Sequence, residues 1–403
     1  MSGFALARRT AVRYPARTCL AVLGVAVIAA LNFDMLLLSR GLLLSFADML
    51  GGAGYDVRVM GGGGVPAIRF PIHDAAALAD AIRRLPQVGD VARVRLDQVS
   101  AAGPRSGPEQ AVTLIGASLD AAHPIWTITA GRSLPVDEQG APPSVVLGRS
   151  LAAALGAEPG MLVRLRAGDR DGRSLLPAIA CRVVGVADFS LESARALTAA
   201  VSLDTFQAVQ GGGASDEADL VLVASAPEVG PDAATAAVAR LRPGLHVYSN
   251  AALVEQFNRN GFAYFRQMSL VLSTTTATFT CLLVAVLLTV SVNQRLGQIA
   301  ALRAIGISRQ HVAAMLLWES ALLVGVGGAV ALPIGGVLAR ALDDILRRMP
   351  NLPERLHFFV FEPRAVVLHA ALLAATAVVA AAYPIWLAVR LPIAPTLRRE
   401  VVS

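Results

Sequence analysis

Residues 19–38, CLAVLGVAVIAALNFDMLLL, decide the fold class, because this stretch is long and apolar enough to cross a lipid bilayer. Its strongly apolar residues contribute roughly −0.3 to −0.6 kcal/mol each and favour insertion by about 3–6 kcal/mol in total. Asp34 opposes insertion by about 3 kcal/mol at most. The alternative is a cleaved signal peptide, since arginines precede the stretch. However, the apolar run is too long for one and no small-residue cleavage site follows it. We therefore predict an uncleaved span.

Three further apolar stretches lie near the C-terminal end of the chain. We predict membrane spans at residues 19–40, 266–292, 311–340 and 365–389, each reaching the ~20 residues needed to cross the hydrocarbon core. The overall composition agrees, because 55% of residues are hydrophobic, 16% are charged and the mean hydropathy is +0.58. The predicted fold class is thus a membrane α-helical protein with four transmembrane helices and a large domain outside the cytoplasm.

The arginines that flank these spans indicate the orientation, because basic residues gather on the cytoplasmic side. They occur in an amphipathic N-terminal arm at residues 1–18, in the loop at residues 293–310 and in the tail at residues 390–403. With four spans, these three regions share one side of the membrane. The loop at residues 341–364 is also rich in arginine and falls on the opposite side, so the signal is mixed. We predict a multi-pass inner-membrane protein with both termini in the cytoplasm.

Residues 41–265 then form one extracytoplasmic insertion with alternating strand and helix patterns. Near its start we predict strands at residues 55–60 and 91–96, with Asp74 capping a helix that runs through Leu85 between them. The order repeats near its end, with strands at residues 220–224 and 245–248 around a helix at residues 231–241. Between these pieces lie four strand patterns, at residues 111–115, 144–147, 162–165 and 179–186. The pattern predicts an α+β subdomain that carries a β-rich insertion.

The sequence offers no catalytic signature. It contains no lysine, so it cannot hold a Walker phosphate-binding loop, and the glycine run at residues 61–64 is interpreted as a flexible loop. The six histidines have no metal-ligand spacing, and the carboxylate pairs Asp137–Glu138 and Asp169–Asp171 fit solvated loops. The pI near 9.9 raises the question of nucleic acid, but many of the arginines flank membrane spans. We predict neither an enzyme nor a nucleic-acid-binding protein, and no metal or cofactor bound directly.

Residues 293–310, NQRLGQIAALRAIGISRQ, form a short loop between two spans that nevertheless has a helical pattern. Leu296, Ile299, Leu302 and Ile305 recur every three residues along one side. Gly306 can stop such a helix, and Ser308 can cap the span that follows. Periodicity alone leaves two interpretations open: a surface helix with positive-inside charge, or a docking helix whose apolar strip fits a groove of a partner.

The run RLGQIAALRAIGISRQ at residues 295–310, followed by Glu319, resembles the signature of FtsX-like permeases of the MacB and LolC/LolE type. The outer segment agrees, with Gly131-Arg132, SVVLG at residues 144–148, LGAEPG at residues 155–160 and VVGV at residues 183–186. YPART at residues 14–18 fits the usual opening of the family. The chain departs from the pattern at Gln298 and Gln294, where relatives usually carry acidic residues, so the electrostatic part of docking differs here.

The resemblance implies a permease subunit without a fused ATPase, whose partner ABC ATPase subunit binds ATP and Mg²⁺. It also implies a second permease copy in a homo- or heterodimer, contact with membrane lipid, and a place for a periplasmic adaptor or a substrate-carrier protein. The implied ATPase-coupling residues are Arg295, Ile299, Leu302, Arg303, Ala304, Ile305, Gly306 and Ser308. Glu319 would link its span to the docking helix, although a position at the inner membrane interface also explains it.

In the third span, Gly327, Ala331 and Gly335 recur at four-residue spacing, which allows close helix approach within the monomer or along a dimer seam. Together these features predict a permease that uses ATP hydrolysis on another chain to move its outer domain for export or extraction of a substrate. The first alternative is an FtsX-like signalling subunit that controls a cell-wall hydrolase. The second is a membrane-anchored binding protein without an ATPase. No residue identifies the cargo.

Overall fold

The computed structural model divides the chain into a membrane unit and an outer unit, each with its own packing. The membrane unit comprises residues 1–42, 262–346 and 357–403, and the outer unit comprises residues 43–261 and 347–356. The structure describes residues 15–52, 54–62, 70–104, 108–119, 123, 125–136, 142–168, 176–189, 196–213, 215–261, 263–294, 296–347, 358–361 and 363–390. Arg295, Asp137, Glu138, Asp169, Asp171, most of the predicted arm and the tail from residue 391 lie outside the described residues.

The secondary structure alternates between helices and strands in the middle of the chain and is helical at both ends. The helices are α1 (Pro15–Gly51), α2 (Ala75–Arg83), α3 (Arg149–Leu155), α4 (Leu203–Val209), α5 (Pro231–Leu241), α6 (Asn250–Gln256), α7 (Ala263–Asn293), α8 (Leu296–Ala304), α9 (Arg309–Arg347) and α10 (Pro363–Arg390). The strands are β1 (Val57–Met60), β2 (Ile72–His73), β3 (Val88–Ala102), β4 (Gln110–Ala117), β5 (Trp126–Gly131), β6 (Ser144–Gly148), β7 (Leu162–Ala167), β8 (Ile179–Phe189), β9 (Thr198–Ser202), β10 (Glu217–Ala218), β11 (Leu220–Ser225) and β12 (His246–Ser249).

Among the described residues, four helices are long and apolar enough to cross a membrane. They are Thr18–Gly51 within α1, Gln267–Asn293 within α7, Arg309–Leu346 within α9, and α10. The 37 residues of α1 and the 39 residues of α9 correspond to about 55 and 58 Å of helix. Both exceed the ~30 Å hydrocarbon core, so each extends beyond it. The predicted class, with four membrane helices and a large α+β domain, is confirmed.

Polar contacts join α1 to α7 inside the membrane unit. The Asn32 side-chain amide donates to the Ser273 carbonyl at 3.1 Å, to the Ser273 hydroxyl at 3.0 Å and to the Thr276 hydroxyl at 2.9 Å. One turn further along, the Ser269 hydroxyl donates to the Met35 carbonyl at 3.0 Å. Because no water competes inside a bilayer, such bonds hold neighbouring helices together.

The outer unit is built on a ten-stranded sheet in which the two ends of its sequence meet. Strand β1 pairs antiparallel with β11 and β12, both from the far end of the segment. The helices α2 and α5 cover this part of the sheet, and Ile82 of α2 is fully buried against Val59 and Val223 of the strands. The pairing explains the predicted repetition of strand, helix and strand at both ends of the segment.

The middle of the outer segment continues the same sheet. The long strand β3 pairs with β11, β4 and β7, and the order then runs through β9, β6, β8 and β5. Strands β4 and β9 are parallel, as are β6 and β8. A second core lies here under α3 and α4, with Leu114, Leu147, Leu165 and Phe206 inside it.

Asp74 occupies the N-cap position of α2, as predicted, but its side chain does not provide the cap. Asp74 has a left-handed backbone conformation, with φ 57°, and its side chain makes no capping hydrogen bond. Instead the two carboxylate oxygens of Asp216 accept from the Ala76 backbone N–H at 2.9 and 3.0 Å. The capping carboxylate comes from 140 residues away in sequence, so a search for caps next to the helix could not find it.

Candidate functional site

The short helix α8 lies among the ends of three spanning helices. On one side of it, Leu296, Ile299 and Ala300 are turned into the bundle, and Ile299 is only 3% exposed. Their cluster contains Val292 at the end of α7, Val312 and Leu316 at the start of α9, and Ala388 at the end of α10. Burying these side chains stabilises the packing of α8 against the spans by roughly 25 cal/mol per Å² of apolar surface removed from solvent. A displacement of α8 therefore acts on three spans at once.

The opposite side of α8 and the turn after it are exposed. Gln298, Ala301 and Ala304 face outward, and the Ile305 side chain is 83% exposed. The helix ends at Ala304, and Gly306 has φ 99°, a conformation that glycine adopts without strain. Ile305 therefore belongs to the turn and not to the buried side of the helix. The predicted single strip is divided: Leu296 and Ile299 pack internally, whereas Ile305 is free to meet a partner.

The remaining coupling residues hold the ends of this segment. The Ser308 hydroxyl accepts from the His311 backbone N–H at 3.4 Å and so caps the start of α9, as the sequence predicted. The Arg303 guanidinium donates to the Val389 carbonyl at 3.3 Å, near the end of α10, where a cation also complements the helix dipole. Arg295 and the Leu302 side chain lie outside the part of the chain that the structure describes.

Glu319 joins α9 to the end of α7. Its Oε1 atom accepts from the Ser291 hydroxyl at 2.9 Å, and Ser291 is 3% exposed. Ser291 lies two residues before the end of α7, just ahead of α8. On the other side of α9, the Ser320 hydroxyl donates to the Ala377 carbonyl of α10 at 2.7 Å. This bond of Glu319 thus goes to α7, the helix that leads into α8.

The small residues of α9 pack against α1. A Cβ atom placed on Gly327 would lie 2.6 Å from the Val25 Cγ1 atom, and one on Gly335 would lie 3.1 Å from the Phe33 ring. Ala331 is fully buried against Ala29 and Ala30. Of the two roles left open by the sequence, the structure places the stripe in contacts within the monomer.

A polar joint in the outer unit was missed by the sequence analysis. The buried Arg58 guanidinium donates to Asn250 Oδ1 at 2.9 Å and to the Leu50 carbonyl at 3.2 Å. Asn250 donates to the same carbonyl at 3.2 Å and to the Tyr55 carbonyl at 2.9 Å. Burial lowers the pKa of Arg58 to about 10, so it stays charged at neutral pH. The joint fastens the last turn of α1 and the first residue of α6 to strand β1.

The alternation Val57-Arg58-Val59 explains why the joint was missed. Such a pattern normally turns the arginine to solvent, but here both faces of β1 are covered and all three residues are buried. Among the described residues, no group of three or more His, Cys, Asp or Glu side chains could hold a metal ion.

Comparison with known proteins identifies the two parts of the chain. Residues 18–241, more than half of the sequence, match the family model of the MacB-like periplasmic core domain. Residues 270–393 match the model of the FtsX-like permease C-terminal region. The chain matches none of the curated proteins searched.

Solved structures of outer domains are similar over about half of this chain. The periplasmic region of MacB from Actinobacillus actinomycetemcomitans aligns at 16% identity and a TM-score of 0.38, covering 53% of this chain and 98% of that one. The extracellular domain of the ABC-type transporter YknZ from Gram-positive bacteria aligns at 12% identity and a TM-score of 0.35, covering 48% and 99%. A domain of a permease protein from Porphyromonas gingivalis aligns at 18% identity and a TM-score of 0.32, covering 48% and 87%.

The family models cover the outer segment and the three C-terminal spans in the order that the sequence motifs indicated. A permease of this kind implies a separate ABC ATPase as its partner. The chain belongs to the FtsX-like, MacB-type family of ABC transporter permease subunits.

Proposed function

We propose that this permease couples ATP hydrolysis on a separate ATPase subunit to movement of its outer domain, and thereby drives export or extraction of a substrate at the inner membrane. In this proposal both termini are cytoplasmic and two permease copies act together. The ATPase binds ATP and Mg²⁺, and this chain supplies the mechanical connection.

The observation that carries the proposal is the division of α8 into a buried and an exposed side. Ile305 is 83% exposed and lies beside the exposed Ala304, which gives a partner a small apolar contact. On the buried side of α8, Leu296 and Ile299 pack against the ends of α7, α9 and α10. A force applied at Ile305 would displace α8, and the buried side chains of α8 would pass this displacement to all three spans because protein interiors are densely packed.

Substitution at the exposed turn tests this proposal. The full-length permease would be purified from its native cells, and co-purified ATP-binding protein would be detected by photolabelling with an azido-ATP and identified by its peptides. Ile305→Asp would bury a carboxylate in the interface, at a cost of several kcal/mol. We expect at least a tenfold loss of co-purified ATPase.

The matched control is Ile345→Asp, which makes the same change at another exposed isoleucine (57%) near the opposite end of α9. It should leave the amount of ATPase unchanged. After the ATPase has been removed, both variants should elute at the same volume as the unaltered permease. If Ile305→Asp retains the ATPase as well as Ile345→Asp does, the coupling site is not here.

A further inference from the structure

A groove runs between α9 and α10 in the membrane unit. It encloses a cavity of about 540 Å³, and small or apolar residues such as Gly325, Gly328 and Leu373 line it. One end is marked by His369 and the other by Trp318. The volume falls within the range of small-molecule sites.

His369 is the polar feature of this groove. Its side chain is 2% exposed, and in the described part of the chain neither ring nitrogen has a hydrogen-bond partner. Its ring lies 5.2 Å from the Phe33 ring, measured between centroids, so its surroundings are apolar. A buried polar group without a partner costs about 1–3 kcal/mol. A ligand that brought a hydrogen-bonding group to His369 would remove this cost.

The dimensions of the groove fit one lipid chain. Its lining on α10 extends from Val366 to Val378, which is about 18 Å along the axis, close to the ~15 Å hydrocarbon thickness of one leaflet. A space of this length and volume suits a single chain of methylene groups.

The position of His369 along α10 matches the expected depth of the polar end of such a lipid in the bilayer. It lies six residues, about 9 Å, from the Pro363 end of α10. The 28 residues of α10 measure about 42 Å, so about 6 Å should project beyond the ~30 Å hydrocarbon core at each end. His369 then lies just inside the hydrocarbon boundary, where the acyl ester groups of phospholipids begin.

We propose that this groove is a phospholipid site, in which one acyl chain lies between α9 and α10 and an ester carbonyl accepts a hydrogen bond from a ring N–H of His369. The bilayer surrounds this groove with acyl chains at high concentration. A helix from a second permease copy, or from another membrane protein, is the competing occupant.

Two glycines of α9 provide a matched test. A Cβ atom on Gly325 or on Gly336 would meet no other atom within 4 Å, but only Gly325 lines the groove. The full-length protein in vesicles would be exposed to a phosphatidylethanolamine that carries a photoreactive diazirine in the middle of one acyl chain. After illumination, the labelled peptides would be mapped and quantified.

We expect labelling concentrated on the groove-lining parts of α9 and α10, reduced at least fivefold by Gly325→Trp and unchanged by Gly336→Trp. His369→Phe keeps an aromatic ring beside Phe33 but removes both ring nitrogens. It should reduce groove labelling about fivefold, as expected for one hydrogen bond, and it provides an independent test if Gly325→Trp fails to fold. Equal labelling in all variants would overturn the proposal. So would a Gly325→Cys variant that cross-links at this position to a second copy or to another protein.

Discussion

Gly327→Ala should destabilise the membrane unit although alanine is the better helix former. The new Cβ atom would lie 2.6 Å from Val25 Cγ1, 2.9 Å from Val25 Cβ and 3.3 Å from the Val22 carbonyl oxygen. Valine has a stiff side chain in a helix, so α1 and α9 must separate locally. Overpacking of this kind costs about 1–3 kcal/mol. The alanine offsets up to about 1 kcal/mol of this through helix propensity.

Gly336→Ala is the matched control in the same helix, because its Cβ atom would meet nothing within 4 Å. This change should stabilise the unit by up to about 1 kcal/mol through helix propensity alone. The two variants should therefore shift stability in opposite directions, with a difference of about 1–3 kcal/mol. That corresponds to about 2–4 °C in the unfolding temperature per kcal/mol.

The assay is thermal unfolding in detergent followed with a thiol-reactive fluorogenic dye. With Cys19 replaced by Ser and Cys181 by Ala, the remaining cysteine is Cys281 of α7, which is partly buried in the membrane unit. Adding Val25→Ala to Gly327→Ala should recover part of the loss, since it removes the nearest atom. If the two glycine variants shift the transition equally and in the same direction, the close contact between α1 and α9 is refuted.

Two further predictions concern the outer unit, with Cys181 kept as its buried thiol reporter. Asn250→Ala removes the acceptor of the buried Arg58 guanidinium and one of the donors to the Leu50 carbonyl. The free energy of unfolding of the outer unit should therefore fall by about 1–3 kcal/mol. An unchanged unfolding transition would show that the joint is not needed. Asp216→Ala removes the cap of α2 and should lower the stability of the outer unit by about 1 kcal/mol. Asp74→Gly should instead stabilise the unit, because glycine accepts φ 57° without strain. Urea unfolding of both variants measures these changes, and equal losses of stability would contradict the assignment of Asp216 as the cap.

The sequence was sufficient for features that depend on long or regular patterns. The four spans could be predicted because each is a long apolar segment, and strands such as β6 and β11 because they are compact apolar runs. Three outer helices were missed, namely α3, α4 and α6. Each has only seven residues, too few to display a helical period. Strand β9 was missed because Thr198 and its alanines are weakly apolar, although all of them are buried in the sheet.

The sequence was sufficient to locate the candidate coupling site but not to show which side of α8 faces a partner. The apolar spacing of Leu296 and Ile299 was visible in the sequence, but spacing cannot show whether such a strip faces a partner or the bundle of its own chain. The structure places these two residues inside and leaves Ile305 outside. Arg58 was beyond reach for a different reason: its burial depends on Leu50 and Asn250, of which Asn250 lies 192 residues away in sequence.

The Asn32 amide has a consequence for how the membrane unit can deform. It makes three bonds from α1 to α7 in surroundings without water, so separating these helices would leave its donors unsatisfied at a cost of several kcal/mol. Sliding or twisting α1 past α7 is penalised in the same way. Helices α1 and α7, which lead into and out of the outer unit, are therefore constrained to move together as a rigid pair.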